Sequence, residues 1–304
     1  MAAGPRIEPS PQRFASPNRQ ATRLFASAAL PSDSSNSSLR PTDERLARGI
    51  RTIITPELLR EVHAFWFEHL SGPDAFILPG PEDSKRWFFG GETLDKQCVE
   101  RFAPTLDALR ASGVKSGHDI ISALQPSSAN EWLSLLILLD QISRNCYRGE
   151  ASSHVFTVFD PIAKDIALSA LERGIPHEWP EIRWQFASRS WFYLPLMHSE
   201  DRATHEMVLR EYERMAQDVE SLIEAKIEDG DGEKNEYRAR ATRAVQGREE
   251  EARKYGQLNW GFEKRHWDII QRFGRYPHRN KAMGRETTAE EKEYLENGGE
   301  TFGG

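Results

Sequence analysis

Three short stretches of this chain hold most of the side chains that can do chemistry. In WFYLPLMHSED (Trp191–Asp201) an aromatic and aliphatic run leads into His198, Ser199, Glu200 and Asp201. Histidine titrates near neutrality, so His198 can serve as a general base, and Glu200 or Asp201 can hold an amine or guanidinium. The plainer explanation is a helix start, with Ser199 as cap and acids favoured in the first turn by the helix dipole. Capping accounts for Ser199 better than for His198. His198, Glu200 and Asp201 are therefore the candidate catalytic residues.

In LLDQISRNCYRG (Leu138–Gly149) the polar residues Asp140, Gln141, Arg144, Asn145 and Arg148 follow the apolar run Trp132–Leu139 with no loop between. Polar groups at the end of a buried helix are costly unless they pair with each other or with a ligand. Asp140 and Arg144 stand four apart, so they share a helix face and can pair. Asn145 and Arg148 add amide and guanidinium donors; a structural network and a ligand-contacting one both fit this pattern. Cys146, among cationic neighbours, is a candidate nucleophile, although a free cysteine filling a core gap is commoner. The third stretch, FGRYPHRN (Phe273–Asn280), repeats the chemistry with Arg275, His278, Arg279 and Asn280 beside aromatics. These four, with Asp140, Arg144, Asn145 and Arg148, form the candidate substrate-binding set.

Other chemistries find no motif. HExxH and paired-cysteine patterns are missing, and His177 and His205 each precede a glutamate without a second histidine four positions on. There is no glycine-rich phosphate loop. No metal site and no cofactor are expected.

The elements that must position these residues read as helices. Thr55-Pro56-Glu57 combines an N-cap, a proline at the first helical position and an early acid, ahead of Leu59, Val62 and Trp66. Ser128 and Glu131 make a capping box for the central helix, whose apolar face is Trp132, Leu135, Leu136 and Leu139. Asp160-Pro161 starts a helix ending near Gly174, a C′ residue. Ser199–Asp201 opens a long one carrying Val208, Tyr212, Met215, Val219 and Leu222. Trp260–Phe273 is a further helix, and Thr288 with Glu291 caps a last short one. Strand patterning is almost absent. The fold class expected is all-α, antiparallel helix pairs packed as a helical-repeat domain.

Residues 1–45, with eight Ser and six Pro and few large apolar side chains, read as a disordered arm ahead of one domain at 46–304. A charged insertion interrupts that domain at about 228–252. Its opening DGDGE lacks the glycine and glutamate spacing of a calcium loop. The longest apolar run, Leu135–Leu139, is far short of the roughly 20 residues that span a bilayer. Two cysteines make no disulfide framework, so a reducing, cytoplasmic setting is the default. The alternative is mitochondrial, from Arg6, Arg13, Arg19 and Arg23 in the arm. A net charge of −7 speaks against an overall positive coat, yet Arg253–Arg285 carries nine Lys or Arg against Glu263 and Asp268.

VHAFWF (Val62–Phe67), the WFF of Trp87–Phe89, ILLDQISRNCYRG, YLPLMHSED and FGRYPHRN followed by MGRETTAEE together resemble domain-of-unknown-function family nine hundred twenty-four. The matching pieces span about residues 57–303. The resemblance implies a fold similar to tetratricopeptide repeats. It also weakens the Cys146 nucleophile, because the family usually carries an aliphatic or aromatic residue there. Some fungal proteins that look similar are arginine-containing cyclodipeptide synthases, which condense two aminoacyl groups taken from charged tRNA.

Such a resemblance implies arginyl-tRNA and a second aminoacyl-tRNA as partners, and needs neither ATP nor metal because an aminoacyl ester is already activated. Glu200, Asp201 or Asp140 would grip the arginyl guanidinium and His198 would take a proton from the attacking amine. Arg272, Arg275, Arg279 and Arg285 would receive the tRNA end, while Trp66, Trp87 and Trp191 would stack on a base or line the second amino-acid pocket, unless they are core. Two other readings stand beside it: a noncatalytic scaffold binding an acidic peptide or carboxylate, and a small-molecule hydrolase with His198 as base.

Overall fold

The apolar run Trp132–Leu139 becomes the spine of the molecule. Ala129–Leu136 is α-helical, Ile137–Ile142 continues as a π-helix, and Ser143–Cys146 closes the rod. Leu133, Leu135, Ile137, Leu138 and Leu139 are fully buried. Helix Pro56–Phe67 packs along one side of the spine, helix Asp160–Glu172 along another, and helix Gly91–Ala111 against its last turn. Burying one large aliphatic side chain stabilises by about 1.5–3 kcal/mol, so this element is the energetic centre of the core. The structure, a computed structural model, describes residues 41–225 and 233–302, all within one unit, 40–304. The arm as far as residue 40 and the DGDG string at 229–232 lie outside the described residues.

The fold is all-α, and no strand occurs among the described residues. Several local signals act as their spacing predicts. Thr55 Oγ1 accepts from Leu58 N, and Ser128 with Glu131 and Thr288 with Glu291 form reciprocal capping boxes. Gly174 takes φ +72° just past Glu172, the left-handed position that ends a helix. Gly117 is needed for a different reason. A Cβ there would meet Asp165 Cβ at 2.6 Å and the Ile162 carbonyl oxygen at 2.7 Å, so its absence lets helix Gly117–Leu124 approach helix Asp160–Glu172.

Helices Arg202–Ile223 and Glu249–Phe273 form an antiparallel pair. Arg202 at the start of the first reaches the Gln271 carbonyl near the end of the second, while Arg253 forks onto Glu220 at the opposite end. Val208, Tyr212, Met215, Val219 and Leu222 are all buried along the first helix. Among the described residues no helix is long and apolar enough to cross a membrane.

Four boundaries differ from expectation. Helix begins at Pro41, a few residues ahead of the boundary set by composition. Much of the charged stretch is itself helical, as Glu233–Val245 and the first turns of Glu249–Phe273, the latter beginning well before Trp260. Ala241, Val245 and Ala252 are fully buried and Arg240 pairs with Asp74, so the described part of the stretch packs against the domain. Asp160 does not start a helix from a loop, because a π-helix, Val155–Phe159, runs directly into it. The cap of the long helix is Asp201, not Ser199; Asp201 accepts from Ala203 N and the Thr204 hydroxyl.

Candidate active site around Asp140 and His198

The π-helical turn at Ile137–Ile142 carries Asp140 into the interior, where it is 1% exposed. A π-turn inserts an extra residue into the helical ladder and recurs at functional sites. Arg144 folds back on the same rod, and its Nη1 donates to Asp140 Oδ1 at 2.9 Å and to the Asp140 carbonyl at 2.7 Å. Its Nη2 meets Asp160, 2.8 Å from Oδ1 and 3.0 Å from Oδ2. The predicted pair four residues apart therefore exists, with Asp160 as a second anchor that sequence spacing did not reveal. Both acids lie in or immediately after a π-helix.

His198 completes the cluster. Its Nδ1 is 2.7 Å from Asp140 Oδ1, whereas its Nε2 has no protein partner and reaches solvent. Burial and the neighbouring Arg144 charge hold the imidazole below its ordinary pKa, with Asp140 offsetting only part of this. Burial opposes ionisation of Asp140 as well, but the Arg144 charge and the His198 bond outweigh it and bring the carboxyl down to about 2. The ring is thus neutral at pH 7 and the acid ionised. With Nδ1–H donating to the carboxylate, the free lone pair sits on Nε2.

The loop that carries His198 is clamped from behind. Tyr276 donates its hydroxyl to the Met197 carbonyl at 2.6 Å, and His205 Nε2 lies 2.8 Å from the Ser199 carbonyl. The other His205 nitrogen is 2.7 Å from Glu263 Oε1, in a pair with no solvent exposure; burial raises the Glu263 pKa. Arg279 Nη1 donates to the His198 carbonyl at 2.9 Å and reaches Asp160 at 3.3 Å. His266 lies beside the ring at 6.3 Å between centroids, itself stacked on Phe302.

The remaining predicted residues fall in separate places. Glu200 takes a fork from Arg285, at 2.6 and 3.0 Å, and also accepts from Tyr276 N. Arg275 forks onto Glu291, to which Asn280 also donates, tying the last short helix to the Tyr276–Asn280 segment. Asn145 and Arg148 turn away from His198: Arg148 forks onto Asp95 of helix Gly91–Ala111 and bonds Asn145 Oδ1. Asp201 stays at the surface, 3.9 Å from Lys164. His278 is part-buried beside the cluster, and burial pushes its ring down to about 4.

Other residues singled out from the sequence also take definite places. Arg272, Arg275, Arg279 and Arg285 each face a carboxylate, from Glu290, Glu291, Asp160 and Glu200 respectively. Trp66, Trp87 and Trp191 form a buried cluster of edge-to-face rings, centroids 5.1–5.3 Å apart in the pairs with Trp191. Burial raises the Cys146 thiol far above its ordinary value and the Cys98 thiol to about 12, so neither is a ready nucleophile. Among the described residues no group of three or more His, Cys, Asp or Glu could hold a metal ion. Two surface clefts of about 320 and 300 Å³ lie elsewhere, one beside Asp74 and Arg248, the other beside His63 and Ser134.

Sequence reasoning missed Asp160, Glu263, His205 and Phe302. Only Asp160 had a local signal, as the apparent start of a helix. The buried pair Asp218 and Arg189, whose carboxylate also binds the half-exposed Arg183, escaped it as well.

A family model described as a bacterial protein of unknown function, family DUF924, matches residues 62–299 and so takes in Asp140, Arg144, Asp160, His198 and Arg279. The chain belongs to that family. Among solved structures, a protein of unknown function from Agrobacterium tumefaciens is similar, with 27% identity and a TM-score of 0.52. The match covers 81% of this chain and 100% of that one. No curated protein matches the chain. Family membership and the similar structure thus carry the helical fold without an activity attached to it.

Proposed function

We propose that this protein is an enzyme in which His198 acts as a general base oriented by Asp140. The observation that carries the reading is the His198 ring, with Nδ1 held 2.7 Å from a buried carboxylate and Nε2 unpartnered and open to solvent. A base must be neutral at working pH, and the lowered pKa keeps it so. His205, behind the same loop, differs in having both nitrogens satisfied by protein groups.

The resemblance to arginine-containing cyclodipeptide synthases supplies the reaction class: aminoacyl transfer from charged tRNA, giving an arginine-containing cyclic dipeptide. Each time an α-amine attacks an ester carbonyl a C–N bond forms and an ester C–O bond breaks, and two such transfers, the second within the dipeptidyl ester, close the ring. His198 would accept the amine proton and return it to the departing ribose oxygen. Of the two neighbouring acids, Asp201 is exposed and open to a substrate cation. Glu200 acts through Arg285 to order the loop. Charged tRNA would be the partner and the medium the place to find product.

The test is expression in a microbial host with mass spectrometry of the medium. Wild type should yield a new arginine diketopiperazine and His198→Ala should not. Soluble wild-type protein without any such product would overturn the aminoacyl-transfer assignment. Product at undiminished level from His198→Ala would overturn the base.

A further inference from the structure

Arg279 carries an unused recognition surface beside the base. It is 4% exposed and held rigid: its guanidinium lies over the Phe156 and Tyr276 rings, 4.6 and 4.4 Å from their centroids. All of its protein hydrogen bonds leave from one nitrogen, Nη1, to Asp160 and the His198 carbonyl. The opposite edge, Nε and Nη2, has no protein acceptor: Nε is sealed from solvent and Nη2 still reaches it. That edge is the side-on fork that elsewhere in this chain binds carboxylates two-pronged, as Arg148 does Asp95 and Arg253 does Glu220.

Desolvating a guanidinium edge with no acceptor is costly, so an unused fork at such a depth needs an explanation. Asp160 does not supply one. Its closer partner is Arg144, at 2.8 Å against 3.3 Å for Arg279. Asp140 is likewise committed to Arg144 and His198. The two acids and two arginines of the cluster balance, and an added anion would meet a fork whose orientation is already set.

We propose that the Nε–Nη2 edge of Arg279 docks an anionic group with two oxygens on one centre, a carboxylate or a phosphate, on the ligand that His198 acts upon. The inference rests on the His198 site as the functional one and deepens it by naming a group the substrate carries. Because Arg279 Nη1 already holds the His198 carbonyl, a group on the opposite edge is tied through one guanidinium to the segment that carries the base. The fork geometry favours a planar, two-pronged anion over a lone point charge.

The experiment is a titration of the full chain, labelled with nitrogen-15 arginine, observing the Nε–H signals and assigning Arg279 through Arg279→Lys. Acetate and inorganic phosphate are the probes, added separately. A saturable shift of the Arg279 signal alone is expected, with acetate marking a carboxylate ligand and phosphate a phosphoryl one. Arg279→Lys removes that signal, and no saturable shift should then remain among the other arginine Nε–H signals, since an ammonium cannot reproduce the fork. A drift shared equally by all arginine signals, or none, with both probes would overturn the site. His198→Ala should still show the saturable shift. Binding retained there without product formation in wild type would remove the catalytic reading and leave the anion site standing.

Discussion

His198 Nδ1 stands 2.7 Å from Asp140 Oδ1, although 58 positions separate the two residues in the chain. Asp140 is held on its rod by Arg144, and His198 on its loop by Arg279, so each partner arrives with its orientation set by an arginine. Asp160 then joins the two arginines to each other. A base built this way is rigid because moving it would break several charge-assisted bonds at once.

Asp140→Asn keeps the shape and removes the charge, leaving Arg144 short of one partner in a desolvated setting. Breaking a buried pair in this way costs about 3–5 kcal/mol. Urea denaturation should show a loss of that order. A loss under about 1 kcal/mol would mean that Asp160 alone can satisfy Arg144.

Glu200 and Asp201 should separate by role. Glu200→Gln strips Arg285 of its charged partner and should cost about 1–3 kcal/mol. Asp201→Asn preserves a good helix cap, so thermal stability should hold within about 0.5 kcal/mol, while Asp201→Ala should lose about 0.5–2 kcal/mol. If Asp201 binds a substrate cation, the Asn variant loses diketopiperazine formation at intact stability. Full product from a stable Asp201→Asn would assign that residue to capping alone.

Acid should destabilise the fold through its histidines before its carboxylates. Burial lowers His198, His266 and His278, the last to about 4, with Arg144 adding to the effect at His198. These folded-state values lie below the unfolded value of about 6.5, so the unfolded chain takes up protons first as pH falls. The stability they contribute is present above about pH 6.5 and is lost as pH drops toward 4. Asp140 and Glu291, both near 2, lose theirs only at still lower pH. Denaturant midpoints measured from pH 8 to 4.5 should fall in this window, and His278→Gln should flatten part of the fall. A constant midpoint would contradict it.

Cys146 and Cys98 should resist alkylation. With both thiols raised by burial, iodoacetamide at pH 7.5 should leave the native protein largely unmodified and label both residues in urea, as read by intact mass. Fast labelling of Cys146 in the native state would restore it as a nucleophile.

Two glycines offer a paired test of close packing. Gly117→Ala would press a methyl against the backbone of Ile162 and Ile166 and should cost about 1–3 kcal/mol. Gly256→Ala, in the interior of helix Glu249–Phe273 with nothing within 4 Å, should instead stabilise by about 0.5–1 kcal/mol. Equal shifts in melting temperature would show that helix propensity alone governs both sites.

Spacing within a few residues was enough to anticipate much of this molecule. The Thr55 cap, the Ser128–Glu131 and Thr288–Glu291 boxes, the buried face of Arg202–Ile223 and the Asp140–Arg144 pair all lie within one or two helical turns. Local geometry is the same in any fold that keeps the helix, so sequence determined these features, together with the all-α class. It also singled out His198, because no capping role accounts for a histidine there.

Only the tertiary structure decided what each of those groups does. Glu200 meets Arg285 across 85 positions, His205 meets Glu263 across 58, and Arg279 meets Asp160 across 119. No spacing rule reaches such distances, since these partners depend on how whole helices pack. The π-turns at Ile137–Ile142 and Val155–Phe159 escaped for a related reason: one extra residue per turn leaves the apolar pattern nearly intact while rotating Asp140 and Asp160 onto a common centre. Residue type marked which side chains can do chemistry, and packing alone chose which of them would be spent on one another and which would stay free.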